Sequence, residues 1–99
     1  MGFNIFYYKD AFKDLENVKN KIPTDAKLIL TKIETILTLN PFPYGSTIKK
    51  LKNIQPPLHR LRVNGTISYR VFYRIIGDSI YILKIVPKRD VDKILKTLF

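Results

Sequence analysis

The sequence predicts an α+β fold, a single domain over residues 1–99 in which an N-terminal strand and a helical hairpin lie on one face of an antiparallel sheet, in the order β-α-α-β-β-β-α. Three observations carry this. Leu58–Val86 holds three strand-like runs separated by the turn signals Asn64-Gly65 and Gly77-Asp78, and short connections of that kind make an antiparallel meander. The stretch before it carries apolar residues at helical spacing, interrupted at Ile22-Pro23. A chain of 99 residues that is 45% hydrophobic has enough apolar surface for one core and too little for two.

The elements follow in order. Phe3–Tyr8 is aromatic and β-forming, hence a strand. From Lys9 or Asp10 to about Asn20, Phe12, Leu15 and Val18 give one narrow apolar stripe on a helix. After Ile22-Pro23, Thr24 suits an N-cap and Asp25 the first turn of a second helix, which reaches Leu39 with Ile29, Ile33, Ile36 and Leu37 on one side. The segment Asn40–Gly45 contains Pro41 and Pro43 and breaks it. Ile48, Leu51 and Ile54, interleaved with Lys49, Lys50 and Lys52, fit a short strand or a helical turn equally. The sheet runs are Leu58–Val63, Ser68–Ile76 and Ser79–Val86, and Pro87 ends the last. Asp90 suits the cap of a closing helix whose apolar side is Val91, Ile94, Leu95 and Leu98.

Strand residues alternate between faces. Leu61, Val63, Tyr69, Val71, Tyr73 and Ile75 therefore form an apolar face, with Leu83 and Ile85 available to it. Arg60 and Arg62, about 7 Å apart, take the opposite face, as do Arg70 and Arg74 on the next run and Lys84 on the last. One sheet face is cationic. The charge of the whole chain is +10. Residues 1–44 hold six cations and five acids, and residues 45–99 hold twelve and three. Such a field draws polyanions, and arginine suits forked phosphate contacts. Phe72 shares the arginines' parity and either stacks on a base or packs beneath the closing helix. Lys88 and Arg89 follow the last strand, as solvated charge or as part of the cationic face.

Other chemistries are poorly supplied. There is no cysteine, which excludes disulfides and thiolate metal sites and fits a cytoplasmic setting. His59, the single histidine, has the parity of the apolar face. The acids show no metal-ligand spacing, the four glycines are isolated, and no cofactor is expected. No 18-residue apolar run suggests a membrane span.

The motifs FYYKDAFKDLENV, NP…G…KKLK over Asn40–Lys52, and LHRLRV…SYRVFYRI…GDSIYILKIVPKRDV resemble the RelE/ParE toxin superfamily, and within it the RelE-like messenger-RNA interferases of toxin–antitoxin pairs. That resemblance implies a RelE-like fold and a metal-independent endoribonuclease acting in the ribosomal A site, in which a 2′-hydroxyl attacks the adjacent phosphate. By position it assigns phosphate binding to Arg60 and Arg62, transition-state stabilisation to Arg70, and a further cationic role to Lys88 or Arg89. Arg74, Lys84, Phe72, Lys49, Lys50 and Lys52 would line the RNA path. The implied partners are mRNA, the ribosome, and a cognate antitoxin with an acidic or amphipathic segment, in a heterodimer or heterotetramer. The sequence departs from the family in two places. Asn64–Ile67 lengthens the turn before Tyr69, and Asp92 stands where relatives carry a tyrosine, leaving Asp92 or His59 as the base. The alternatives are a non-enzymatic toxin that serves as a basic antitoxin-binding and repression module, and a ParE-like gyrase inhibitor.

Overall fold

The computed structural model describes residues 2–98, with the side chain of Leu98 outside the described set. Its elements are β1 (Asn4–Tyr7), α1 (Lys9–Lys21), α2 (Pro23–Lys32), a π-helical turn (Ile33–Leu37), β2 (Ile48–Lys50), β3 (His59–Asn64), β4 (Ser68–Ile76), β5 (Ser79–Pro87), a 3-10 turn (Lys88–Asp90) and α3 (Val91–Leu98). The expected α+β fold stands, with one strand more than the expected order. In the segment open to two readings, Ile48–Lys50 is a strand, since β2 pairs with β3 through Ile48↔Leu61 and Lys49↔Arg60, while Leu51 and Ile54 lie in the connection after it.

The five strands lie in the order β1-β5-β4-β3-β2. Neighbours are antiparallel except β1 and β5, which run parallel. The sheet is therefore mixed. The helical hairpin between β1 and β2 returns the chain across the sheet, and β1 is left beside the last strand.

The helices pack on one face. Their contributions are Ala11 from α1 and Ile29, Ile33 and Leu37 from α2 and its π turn, against Leu61, Val63, Tyr69, Val71, Tyr73, Ile80, Ile82 and Ile85 of the sheet. On α1 the buried stripe is Ala11, Leu15 and Val18, not one beginning at Phe12, which is 57% exposed. The helix thus sits one residue further round than the largest side chain suggests. Pro23 opens α2, with Ile22 in the cap position at φ −138° and ψ 81°. Proline's fixed φ and absent N–H suit that first position, so Thr24 falls inside the helix and is not its cap.

The opposite face has its own smaller core of Leu58, Phe72, Leu83 and Val86, covered by Leu51 and Ile54 of the β2–β3 connection and by Val91, Ile94 and Leu95 of α3. Leu83 belongs here and not to the helical face. The register explains this: Phe72 faces Lys84 while Tyr73 faces Ile82, so Leu83 is an extra residue in β5. A bulge of this kind shifts alternation by one.

Candidate functional site

Pairing of β3 with β4 places Arg62 directly opposite Arg70 and Arg60 opposite Phe72, on the face away from the helical hairpin. Lys49 of β2 faces Arg60 across the other edge of β3. Residues directly opposite in such a ladder lie about 4.5–5.5 Å apart at Cα. The strands therefore draw Arg60, Arg62 and Arg70 into one cluster.

The cluster is held from beneath. Arg70 is only 6% exposed. Its Nη1 donates to Ser68 Oγ at 2.8 Å and to the Tyr69 carbonyl at 3.0 Å. Ser68 in turn donates to Asn64 Oδ1 at 2.8 Å. Arg60 Nη1 donates to the Ser46 carbonyl at 3.3 Å. Arg62 Nε is buried without a hydrogen-bond partner. Among the described residues no carboxylate forms an ion pair with any of the three. Burial, and then the charges of Arg60 and Arg62, push the Arg70 guanidinium below its ordinary value; burial and then Arg62 do the same to Arg60. Guanidinium groups stay charged through such shifts. The result is three cations with donors unspent and, among the described residues, no carboxylate counter-ion, an arrangement that binds an anion with several oxygens.

The turn that precedes Arg70 is fixed by Asp25, which the sequence offers only as a first-turn acid. Asp25 is 3% exposed. It accepts bonds from Thr66 N at 2.8 Å, Ile67 N at 3.3 Å and Tyr69 Oη at 2.9 Å, tying α2 to the β3–β4 turn. A Cβ on Gly65 would come within 2.5 Å of Asp25 Oδ1. Glycine at this turn allows the carboxylate to approach the backbone. Burial acts to raise the Asp25 carboxyl, but the bonds from Thr66, Tyr69 and Ile67 overcome it and hold the group below the usual carboxylate range. The Tyr69 phenol is pushed up to about 12 by burial and by Asp25. The signal in the sequence was the lengthened turn with its Asn-Gly pair.

The remaining expected residues are dispersed. Phe72 is buried at 1% exposure beneath α3 and offers no face to a base. Arg74 lies on the arginines' side of β4, opposite Tyr81, with the apolar cluster between it and the other three. Lys84 leaves that face because of the bulge: its Nζ is 3.2 Å from Asp14 Oδ2 on α1. His59 is on the helical side, stacked on Tyr73 with ring centroids 5.6 Å apart. Burial, then Lys50, lowers its pKa. Strand alternation keeps it from serving the arginines as a base. Lys50 shares its side, and Lys52 is exposed in the turn after β2. Lys88 and Asp92 are exposed on the closing segment. Arg89 lines a cleft between α1 and α3, at the far edge of β5. Among the described residues no cluster of three or more His, Asp or Glu is placed to hold a metal, and no helix is long and apolar enough to cross a membrane.

Known proteins share this architecture. No curated protein matches the sequence significantly. The fold is similar to a toxin–antitoxin complex structure, RelBE2 of Mycobacterium tuberculosis, with a TM-score of 0.72 at 19% identity, covering 89% of this chain and 100% of that one. It is similar to the free state of a doubly arginine-substituted Escherichia coli RelE toxin, with a TM-score of 0.70 at 13% identity and full coverage of both chains. It is also similar to the archaeal RelE–RelB complex of Pyrococcus horikoshii, with a TM-score of 0.64 at 25% identity, covering 89% of this chain and 97% of that one. Residues 5–92 match the family model described as the ParE toxin of type II toxin–antitoxin systems. The chain therefore belongs to this toxin family, within the RelE/ParE superfamily.

Proposed function

We propose that this toxin is an endoribonuclease that cuts messenger RNA in the ribosomal A site and is neutralised by a cognate antitoxin. One observation carries the reading: Arg60, Arg62 and Arg70 converge without a carboxylate partner among the described residues, and one of them keeps a buried, unsatisfied Nε–H. In the reaction the 2′-hydroxyl gives up its proton to solvent as its oxygen bonds to the adjacent phosphorus, the bond from phosphorus to the 5′-oxygen breaks and that oxygen takes up a proton from solvent, and the products are a 2′,3′-cyclic phosphate and a free 5′-hydroxyl. The phosphorane between them gains negative charge on its oxygens. Cations already fixed in place stabilise that charge without reorganising. Arg70, buried and bonded at two points, is best suited to this role, while Arg60 and Arg62 position the phosphate. His59 lies on the other face, and no Asp or Glu of the described residues is ion-paired with the cluster. The cluster's contribution is therefore positional and electrostatic.

The match to the ParE family model favours a second reading, gyrase inhibition, and one experiment separates the two. Induced expression of the wild type is expected to arrest growth, with cuts in ribosome-bound messages, and Arg70→Ala is expected to do neither. Arrest with DNA damage and intact mRNA would support gyrase as the target. A harmless wild type with intact mRNA would leave a non-enzymatic antitoxin-binding module.

A further inference from the structure

The outer face of the sheet carries a second group of side chains, apart from the arginines. Phe6 of β1 lies directly opposite Tyr81 of β5, and their rings stack with centroids 5.3 Å apart and planes 20° from parallel. Tyr8 continues β1 in extended conformation, so it has the parity of Phe6, and its ring meets Tyr81 edge-on at 6.0 Å. On its other side Tyr81 faces Arg74 of β4. Stacked and edge-to-face pairs of this kind hold rings in set orientations. The group is nevertheless open to solvent: Phe6 is 47% and Tyr8 51% exposed. β1 is the last strand on this side of the sheet, so the stack has Tyr81 at its inner end and Phe6 at its open end.

We infer that this aromatic group is a stacking platform for an unpaired RNA base, which adds to the open end of the stack on Phe6. The inference lies outside the cleavage site but rests on the reading that this toxin acts on RNA. Two properties select the occupant. The surface is made of rings set side by side, which suits a planar π system better than a branched apolar side chain. The whole chain carries a charge of +10, which repels a second copy and draws a polyanion. A nucleobase combines the two, as a neutral planar ring carried on a polyanion. Sheets that bind single-stranded RNA do so with exposed aromatic rings of this kind. Asp10 and Asp78 lie near the platform in sequence, as do Lys9 and Arg74; stacking engages the uncharged base, so the acids do not oppose it. The contact is separate from the arginine cluster. Arg74 is four residues from Arg70 along β4, about 13 Å, and Phe72 and Leu83, covered by α3, lie between. The platform therefore holds a base away from the reacting phosphate and acts on affinity, not on the chemical step.

The test measures binding of the whole toxin to two probes of equal charge: a short 2′-O-methyl oligoadenylate, which has no 2′-hydroxyl to attack, and the same backbone without bases. The wild type is expected to prefer the oligoadenylate by about tenfold or more. Phe6→Ala is expected to lose that preference while keeping its affinity for the base-free backbone, and Phe6→Trp is expected to retain it. Equal binding of both probes by the wild type, a comparison that needs no variant to fold, overturns the platform and leaves the RNA reading intact. An equal loss on both probes in Phe6→Ala would make the ring structural only and overturns it too. So does a wild-type dimer in sedimentation that Phe6→Ala breaks, which would assign the face to a second copy. Binding of neither probe also overturns the platform, while cleavage of ribosome-bound messages, measured separately, decides the RNA reading. Where the preference is found, ribosomes without message identify its source: affinity reduced by Phe6→Ala assigns the base to ribosomal RNA, and unchanged affinity assigns it to the message.

Discussion

Replacing Asp25 with alanine tests whether a polar clamp ties α2 to the β3–β4 turn that precedes Arg70. The carboxylate accepts three bonds, at 2.8, 3.3 and 2.9 Å, from Thr66 N, Ile67 N and Tyr69 Oη. A hydrogen bond to a charged group contributes about 1.5–3 kcal/mol, and a buried donor left unpaired costs about 1–3 kcal/mol. Thr66 is exposed, so water can replace its bond, and the Ile67 bond is long. The Tyr69 hydroxyl is buried and has no such recourse. The expected loss is about 3 kcal/mol, a large share of the roughly 5–15 kcal/mol typical of a domain. The assay is urea unfolding at pH 7, read as a lower midpoint at unchanged slope. The pH dependence supplies a second check. Asp25 is depressed in the folded state. Its contribution is therefore complete above the unfolded value, near 3.9, and is lost as pH falls through the folded value. The gap between wild type and Asp25→Ala should be full at pH 5–7 and shrink below about pH 4. A gap under about 1 kcal/mol at neutral pH, well short of what three bonds supply, or one that persists undiminished in strong acid, would refute the clamp.

Three further outcomes are expected. Gly65→Ala places a methyl 2.5 Å from Asp25 Oδ1 and should destabilise by about 1–3 kcal/mol; combined with Asp25→Ala it should cost less than the sum, because the clash then has no target. Arg70→Lys keeps the charge but loses the forked geometry, and cleavage on isolated ribosomes should fall about a hundredfold with RNA affinity changed much less; equal cleavage would show that a point charge suffices. Saturating polyphosphate should raise the melting temperature of the wild type by about 4–8 °C or more, corresponding to about 1 kcal/mol or more of linked binding. A variant with Arg60, Arg62 and Arg70 all changed to Gln should lose that rise.

Much of the fold was legible because it rests on alternation and on punctuation by Pro and Gly. The parity of Arg60, Arg62 and Arg70 follows from short regular stretches of β3 and β4, where a period of two holds throughout. Lys84 and Leu83 were misplaced because one extra residue in β5 breaks that period. The spacing Ile80, Ile82, Ile85, all buried on the helical side, is the trace it leaves: two residues, then three. The Asp25 clamp joins residues more than forty positions apart, and no local pattern reports it. Phe72 was ambiguous for another reason: parity gives the face but not what covers it, and α3 covers it through contacts that a count along the chain does not show.

The bulge at Leu83 also bears on comparison between relatives. It reverses the face assigned by position to everything that follows it in β5. Two chains that share this sheet but differ in one residue there would align well and still present opposite faces from that point on. Roles in the closing part of this chain are therefore carried between relatives by register with β4, Arg70 against Val86 and Tyr69 against Pro87, and not by counting along an alignment.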